Sequence, residues 1–320
     1  MANLLTSSIT PDSLKTWPEG SVAVVAHDAG AARLLLSWLE PLDKQLRFYL
    51  EGPALEMLRK DRPQAQNEKN VETCLSQCQL LLSGTGWSSN LEHHARSIAQ
   101  KQKMKSVAVI DHWVNYAQRF KRNESEVLPQ GIWVADEEAA ILARQQFPTQ
   151  WVQQLENKWM IQLKKEVRTY QARRNPEGPQ SPATQLLYLL EPLRDRTSGE
   201  QNGGEFEALE YWLSQLEDLI HIGLINPRKN KLQLRLRQHP SEPNNKYNEW
   251  IEKHRDEWAI ALDKCQSLPE SLGSTDMVFG CETQALVAAL SCEIPAFSTL
   301  PPEFPPNRLP HKQLRHLNMI

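Results

Sequence analysis

The 320-residue sequence has few cysteines, and they are not spaced for a metal or disulfide site. Its five cysteines are an odd number without a CxxC pair, which fits reduced thiols better than a disulfide framework or a zinc site. Cys74 and Cys78 are one helical turn apart and are expected to pack as reduced thiols. His93 and His94 are adjacent on a predicted helix and therefore diverge. We expect no bound metal.

Long apolar runs and a strong excess of one charge are also missing. Hydrophobic residues make up 40% and charged residues 23% of the chain, as in soluble globular proteins. No apolar run approaches the ~20 residues of a membrane span. The first residues lack a basic segment followed by a long apolar core, so we expect no secretory signal and a cytoplasmic location. A formal net charge of -3 gives no basic surface for nucleic acid.

Two glycine-containing loops lack the signatures of common nucleotide-binding motifs. The stretch AHDAG (26–30) looks like the first strand-to-helix turn of a Rossmann-type unit, but it does not complete G-x-G-x-x-G. The stretch SGTGWSSNLEHHA (83–95) has no Gly-Lys-Ser/Thr and is not a Walker motif. No dinucleotide or other cofactor is expected.

The chain does contain a repeated alternation of strand and helix. Strand-like apolar runs in the first half are VAVVAH (22–27), LRFYL (46–50), CQLLLSG (78–84), SVAVID (106–111) and GIWVAD (131–136). Helical patterns follow several of them, including residues 90–102 and 137–147. Because strands apolar on both faces alternate with helices, the pattern predicts a parallel sheet covered on both sides.

The same alternation returns in the second half. Its strand-like runs are TQLLYLLEP (184–192), LQLRLRQHP (232–240), TDMVFG (275–280) and IPAFST (294–299). Residues 151–183 interrupt the alternation with a charged helical segment and a Pro/Gly/Asn cluster without strand signals. We therefore predict an α/β protein with two Rossmann-like domains, 1–150 and 184–320, joined by a linker at 151–183 and facing an interdomain cleft.

Residues directly after the predicted strands are unusually polar. In parallel sheets, ligands bind outside the carboxyl ends of the strands, so these positions are candidates for a site. They comprise His27-Asp28, Gly30, Glu51-Gly52, Ser83 to Gly86, Asp111-His112, Asp136-Glu137, Glu191, His239 to Glu242 and Gly280 to Thr283.

Two stretches, RLRQHPSE (235–242) and DMVFGCETQALVAALSCEIPAF (276–297), resemble motifs of the GT-B superfamily, which includes nucleotide-sugar glycosyltransferases and UDP-N-acetylglucosamine 2-epimerases. The second is similar to the superfamily's strand, small-residue loop, acidic or hydroxyl residue and helix before G-x-P. His239-Pro240, with Ser274-Thr275 or Thr283, looks like the His-Pro and Ser/Thr motifs of bacterial sialyltransferases of this fold. The resemblance implies a nucleotide site in the C-terminal domain and an acceptor site in the N-terminal domain.

Glu282 and Thr283 stand at the start of a predicted helix, just after Gly280. A helix N-terminus offers backbone N–H groups to phosphates, and a carboxylate accepts hydrogen bonds from ribose hydroxyls. We expect Glu282 to bind the ribose, Thr283 to bind a phosphate and Gly280 to allow close approach. The alternative is that Glu282 interacts only with its helix dipole and Thr283 only caps the helix.

His239 ends a strand at Pro240, which predicts that its imidazole is near the nucleotide together with Ser241. A histidine there is suited to neutralise charge on a leaving phosphate, which would make it catalytic. The alternative is a surface histidine that caps the following helix. Arg235 and Arg237 share one strand face and point either toward phosphates or into salt bridges.

In the N-terminal domain the stretch VIDHWVNYAQRF (109–120) combines a carboxylate with aromatic residues. Asp111 is the first candidate for a general base, in part because the epimerases have an acidic residue after the corresponding strand. Sugars stack on aromatic rings, which makes Trp113 an acceptor-site candidate. Alternatively, Asp111 caps a helix and Trp113 fills the core. The other acceptor-site candidates are His27, Asp28, Gly84, Thr85, His112 and Arg119, with His27 or Asp28 as alternative bases.

Three functions are consistent with these residues and the resemblance. The favoured one is a glycosyltransferase, in polysaccharide or glycan synthesis, that moves a sugar from a UDP-, GDP- or CMP-linked donor to an unknown acceptor. The second is a UDP-sugar 2-epimerase, for which Asp136 and Glu137 would supply further carboxylates. The third is a non-catalytic binding protein with the same fold.

Overall fold

The protein is described by a computed structural model that covers residues 20–39, 45–86, 89–174, 183–193, 204–228, 231–240 and 242–320. The chain folds into two compact units, Met1–Trp159 and Met160–Ile320. The division lies inside the segment 151–183 that was predicted to link two domains.

The first unit is built on a parallel sheet with six strands in the described residues. Its strands are β1 (Ser21–Ala26), β2 (Leu46–Leu50), β3 (Cys78–Ser83), β4 (Lys105–Val109), β7 (Gly131–Val134) and β8 (Trp151–Gln154), in the order β2-β1-β3-β4-β7-β8. A short antiparallel hairpin, β5 (Lys121–Arg122) and β6 (Ser125–Glu126), lies outside it. Because the chain adds strands first on one side of β1 and then on the other, the topological switch point lies between β1 and β3.

Helices cover both faces of this sheet, as its continuous apolar strands require. The helices are α1 (Ala29–Leu39), α2 (Gly52–Asp61), α3 (Val71–Leu75), α4 (Leu91–Lys101) and α5 (Glu137–Gln146). One face of the core includes Trp38 and Trp133, whose rings meet edge to face at 5.9 Å. The other face is formed by β1 and β3 side chains with α3 and α4.

The second unit has the strand order of a Rossmann fold. Its strands are β9 (Thr184–Leu189), β10 (Leu232–Arg237), β11 (Ile260–Leu262), β12 (Met277–Gly280), β13 (Ala296–Ser298) and β14 (Arg315–His316), all parallel in the order β11-β10-β9-β12-β13-β14. The switch point therefore lies between β9 and β12.

The helices of the second half are α6 (Lys158–Arg174), α7 (Gly204–His221), α8 (Asn248–His254), α9 (Leu268–Gly273) and α10 (Gln284–Ser291). Large rings fill the core between the sheet and α7. Trp212 packs against Tyr188 and Phe279, and Phe279 stacks on Phe297 at 5.1 Å.

The predicted α/β class with two parallel, Rossmann-like sheets is confirmed. Strand β8 was not predicted. Trp151–Gln154 pairs parallel with β7 inside the segment that showed no strand signal. Its residues are half-buried or exposed because an edge strand has only one neighbour, so it lacks the continuous apolar run of the central strands. In the described ranges, no helix is both long and apolar enough to cross a membrane.

Candidate functional site

The loops after β1 and β3 meet at the switch point of the first unit. His27 and Asp28 follow β1, and the His27 Nδ1 atom lies 2.8 Å from the Asp28 Oδ1 atom. A Cβ atom on Gly86, in the loop after β3, would overlap the Asp28 carboxylate, so this glycine lets the carboxylate lie against the loop. His27 and Asp28 are both half-buried and form an accessible polar pair.

Asp111 follows β4 and is held by Arg119. The Arg119 Nη1 atom lies 3.2 Å from the Asp111 Oδ1 atom, and the two side chains are 8% and 19% exposed respectively. The other carboxylate oxygen lies against Gly30, where a Cβ atom would overlap it. Gly30 belongs to the first turn of α1, so the positive end of that helix dipole favours the negative charge.

Arg119 is itself fixed by its surroundings. Its Nε atom donates to the Val114 carbonyl at 3.0 Å, and its Nη1 atom lies 3.4 Å from Thr85 Oγ1. Thr85 is buried and donates to the Val109 carbonyl at 2.8 Å. Asp111 is therefore a fixed, ion-paired carboxylate at the carboxyl edge of the sheet.

Trp113 is 6% exposed, and its Nε1 atom donates to both carboxylate oxygens of Asp136 at 2.9 and 3.0 Å. Asp136 in turn caps α5 by accepting from the Ala139 N–H at 2.7 Å. His112 Nδ1 accepts from the Trp113 N–H at 2.9 Å. These contacts agree with the alternative that Trp113 packs in the core. They also show that the Asp136 carboxylate caps a helix.

Two buried charged residues on α4, Glu92 and Arg96, form hydrogen bonds with the loops after β1 and β3. They were not identified from the sequence. Glu92 accepts from the His27 backbone N–H at 2.9 Å, and Arg96 Nη1 donates to the Gly84 carbonyl at 2.8 Å. Burial raises the pKa of Glu92 and lowers that of Arg96 to about 10. A usable sequence signal was present, because both residues share the apolar face of α4 with Ala95 and Ala99.

At the switch point of the second unit, the carboxylate of Glu191 lies on the loop that begins α10. It accepts hydrogen bonds from the backbone N–H groups of Cys281, Glu282 and Thr283. Burial raises the pKa of Glu191 to about 7 although these N–H groups lower it, and the nearby Glu282 raises it further. Glu191 was among the polar residues after strands, but the sequence did not show what it contacts.

Glu282 is 7% exposed and pairs with Arg308. The Arg308 Nε and Nη2 atoms lie 3.1 and 2.9 Å from its Oε2 atom, and the Arg308 backbone N–H donates to its Oε1 atom. Thr283 caps α10, since its hydroxyl accepts from the Ala285 N–H at 3.3 Å. A Cβ atom on Gly280 would lie 3.0 Å from the Leu189 carbonyl oxygen.

His239 follows β10, the strand next to β9, and its backbone N–H donates to Glu242 at 3.4 Å. Glu242 also accepts from Lys246 Nζ at 2.7 Å and from the Tyr247 hydroxyl at 2.8 Å. Ser241, predicted to bind the nucleotide, lies outside the described residues.

Arg235 and Arg237 take the salt-bridge alternative. Both guanidiniums pair with the buried carboxylate of Asp263, at 3.1 and 3.0 Å. The Ser271 hydroxyl also donates to this carboxylate. The two arginines therefore stabilise the packing of β10 against the segment after β11.

The fold resembles those of several solved proteins. It is similar to UDP-GlcNAc 2-epimerase from Neisseria meningitidis bound to UDP-GlcNAc, with 10% identity, a TM-score of 0.54 and coverage of 87% of this chain and 82% of that chain. It is also similar to S. aureus MnaA in a co-structure with UDP, with 11% identity, a TM-score of 0.56 and coverage of 87% and 78%. Acinetobacter baumannii MurG matches with 11% identity, a TM-score of 0.48 and coverage of 89% and 80%.

The chain has a GT-B-like fold. The superfamily resemblance seen in the sequence is thus confirmed at the level of fold. No protein-family model matches the chain, and no curated protein matches its sequence.

Within this GT-B-like fold, the polar residues form two separate groups, one at the switch point of each unit. Asp111, Arg119, His27 and Asp28 belong to the first. Glu191, Glu282 and Arg308 belong to the second. In the described residues, no group of three or more His, Cys, Asp or Glu side chains is arranged to hold a metal ion.

Proposed function

We propose that the protein is a glycosyltransferase that moves a sugar from a nucleotide-sugar donor to an acceptor hydroxyl. The observation that carries the proposal is Asp111, an ion-paired carboxylate fixed at the carboxyl edge of the first sheet in a GT-B-like fold. Structures with this fold include one bound to UDP-GlcNAc and one with UDP, which supports a nucleotide sugar as the substrate class.

In this proposal Asp111 acts as the general base. Its carboxylate takes the proton from the acceptor hydroxyl while the acceptor oxygen bonds to the anomeric carbon of the donor. The bond from that carbon to the phosphate oxygen breaks, and the nucleotide leaves with the electron pair. Arg119 holds the carboxylate in position from one side and the first turn of α1 from the other.

Other residues after the strands of the first sheet would contact the acceptor or support the residues that do. We assign this role to His27, Asp28, Gly84, Thr85 and His112. Trp113 is buried against Asp136, so its contribution would be to position the loop after β4.

The nucleotide would bind at the switch point of the second unit, where Gly280 ends β12 and Glu282 and Thr283 lead into α10. His239 follows the neighbouring strand β10, and as an imidazolium it would neutralise charge on the departing phosphate. Ser241 is kept as a candidate for the same site. This assignment follows the rule that parallel sheets bind ligands at the switch point.

A second candidate function is epimerisation of a UDP-sugar, because one structure with the same fold is a UDP-GlcNAc 2-epimerase. That reaction needs more than one acid–base group near the sugar. Asp28 and His27, which contact each other after β1, would supply further groups, whereas Asp136 contacts Trp113 and caps α5. The third possibility, a non-catalytic binding protein, predicts binding without any chemical change.

One experiment separates these functions. The full chain is screened with UDP-, GDP- and CMP-sugars by thermal shift, and the products of each stabilising donor are separated by anion-exchange chromatography. With no acceptor supplied, a transferase moves the sugar to water and releases free nucleotide, whereas an epimerase converts the donor into a second nucleotide sugar of the same mass. A donor that stabilises the protein and is recovered unchanged indicates a binding protein, and no stabilisation by any donor contradicts the proposal.

A further inference from the structure

Arg308 is a half-exposed arginine held in one orientation by a buried carboxylate. Its side chain is 47% exposed, whereas that of its partner Glu282 is 7% exposed. The ion pair uses the Nε and Nη2 atoms of the guanidinium. The Nη1 atom makes no hydrogen bond to any residue in the described parts of the chain, so one edge of the guanidinium is available to a ligand.

The backbone around Arg308 is fixed at the carboxyl ends of β12 and β13. Asn307 Nδ2 donates to the Cys281 carbonyl and to the Ser298 hydroxyl, both at 2.8 Å. The next residue, Leu309, donates its N–H to Asn307 Oδ1 at 2.8 Å. The loop therefore presents Arg308 at the switch-point edge, beside the residues that begin α10.

Three backbone N–H groups at this edge are already occupied. Glu191 accepts from Cys281, Glu282 and Thr283, which lie directly before α10 and would otherwise be open to an anion. An anion that reaches the end of β12 thus finds the strongest remaining donor in the guanidinium of Arg308. Arginine is suited to phosphate because its planar guanidinium presents several N–H donors at once.

We infer that Arg308 binds the phosphate of the nucleotide, and that Glu282 positions Arg308 instead of binding the ribose. This inference rests on the proposed function for the identity of the ligand as a nucleoside diphosphate. It assigns to residue 308 a role that no motif in the sequence indicated. If the inference is correct, removing the Glu282 charge weakens the contact of Arg308 with the phosphate and does not affect contacts with the ribose.

The test uses calorimetric titration of the full chain with UDP, uridine and pyrophosphate. Arg308→Met should weaken UDP binding by ~10-fold or more, as expected for a charge-assisted contact, and leave uridine binding unchanged. Glu282→Gln should also weaken UDP binding, by a smaller factor than Arg308→Met, and should leave uridine binding unchanged. If Glu282 binds the ribose, Glu282→Gln weakens uridine and UDP equally, and the inference is overturned.

Arg255 provides a matched control, because it is an exposed arginine paired to a glutamate, Glu252, at 2.7 Å. Arg255→Met should leave the binding of all three ligands unchanged. Arg308→Met alone leaves a buried Glu282 charge without its partner, so the double variant Glu282→Gln/Arg308→Met serves as a second test in a neutral site. It should fold and show the same loss of UDP binding.

Pyrophosphate separates this inference from the proposed function. If wild-type protein binds pyrophosphate but neither UDP nor uridine, a UDP-linked donor is excluded, and loss of pyrophosphate binding in Arg308→Met still supports the role of Arg308. If Arg308→Met and the double variant bind UDP and pyrophosphate as tightly as the wild type, the inference is overturned. Failure of the wild type to bind either phosphate ligand overturns it as well.

Discussion

The carboxylate of Glu191 accepts a hydrogen bond from the backbone N–H of Glu282, so that one acidic residue occupies the donor group of another. The contact joins the end of β9 to the loop before α10. It places two carboxylates at one switch point, one on backbone N–H groups and the other on Arg308. The protonation state of Glu191 therefore affects the stability of this edge of the sheet.

We predict that the free energy of unfolding decreases as the pH rises from about 5 to 8, in part through Glu191. Its pKa is about 7 in the folded protein, mainly because of burial, compared with an ordinary value of 4.5. A raised carboxyl pKa means that the folded state holds the proton more tightly than the unfolded state. The free energy of unfolding therefore decreases as the pH rises from the ordinary pKa to the folded pKa. The full shift corresponds to at most ~3 kcal/mol.

Urea unfolding at several pH values checks this prediction. Glu191→Gln removes the titration, so the wild-type free energy should fall relative to that of the variant as the pH rises. Glu92 also has a raised pKa and titrates in both proteins, so the difference between them isolates Glu191. Parallel pH profiles for the two proteins would show that Glu191 does not titrate in this range.

Asp263 provides a stability prediction that is independent of nucleotide binding. Burial alone raises the pKa of Asp263, but the Ser271 hydroxyl and the guanidiniums of Arg235 and Arg237 lower it below its ordinary value. Asp263→Asn leaves both arginines without their anionic partner and should reduce the free energy of unfolding by ~3 kcal/mol. The wild-type contribution of Asp263 should be lost as the pH falls below about 4, since its folded pKa lies below 3.8.

Chemical denaturation gives the stability of Asp263→Asn, and UDP titration at a temperature where the variant is folded gives its affinity. We expect lower stability with unchanged affinity. A variant that is as stable as the wild type but no longer binds UDP would place Arg235 and Arg237 in the nucleotide site.

Gly30 tests the position of Asp111 without changing a titratable group. A methyl group at residue 30 overlaps the Asp111 carboxylate, so Gly30→Ala should displace it from Arg119. The expected result is a loss of turnover of ~10-fold or more, because small displacements of a reacting group are costly. Steady-state kinetics of Gly30→Ala, Asp111→Asn and the double variant measure the effect.

The double variant is the control, since Gly30→Ala acts through Asp111. Once Asp111 is replaced, the added methyl group should cause little further loss. Losses that simply multiply in the double variant would mean that Gly30 affects turnover by another route.

The sequence predicted the central strands because they are continuous apolar runs, and it predicted the polar residues after them because parallel strands end at one edge. It did not predict β8, whose residues WVQQ have the mixed burial of an edge strand. The side of the sheet on which Arg235 and Arg237 lie followed from alternation along β10, but their partner Asp263 is 26 or more residues away.

The second-unit site depended even more on distant contacts. Glu191 and Glu282 are 91 positions apart, and Arg308 lies 26 positions beyond Glu282. Local spacing carries no information about such pairs. The sequence predicted the helix start at Thr283, but it did not predict that Glu191 accepts from the N–H groups of Cys281, Glu282 and Thr283.

The central claim is that the protein transfers sugar from a nucleotide with Asp111 as the base. Single-turnover release of free nucleotide from the donor that stabilises the protein, with water in place of the acceptor, tests it most directly. The proteins compared are the wild type, Asp111→Asn and Asp218→Asn, which changes an exposed aspartate on α7. Asp111→Asn should release nucleotide ~10²-fold more slowly or worse, with unchanged donor affinity, while Asp218→Asn matches the wild type. Equal release by Asp111→Asn and wild type, or no release from any UDP-, GDP- or CMP-sugar, would contradict the claim.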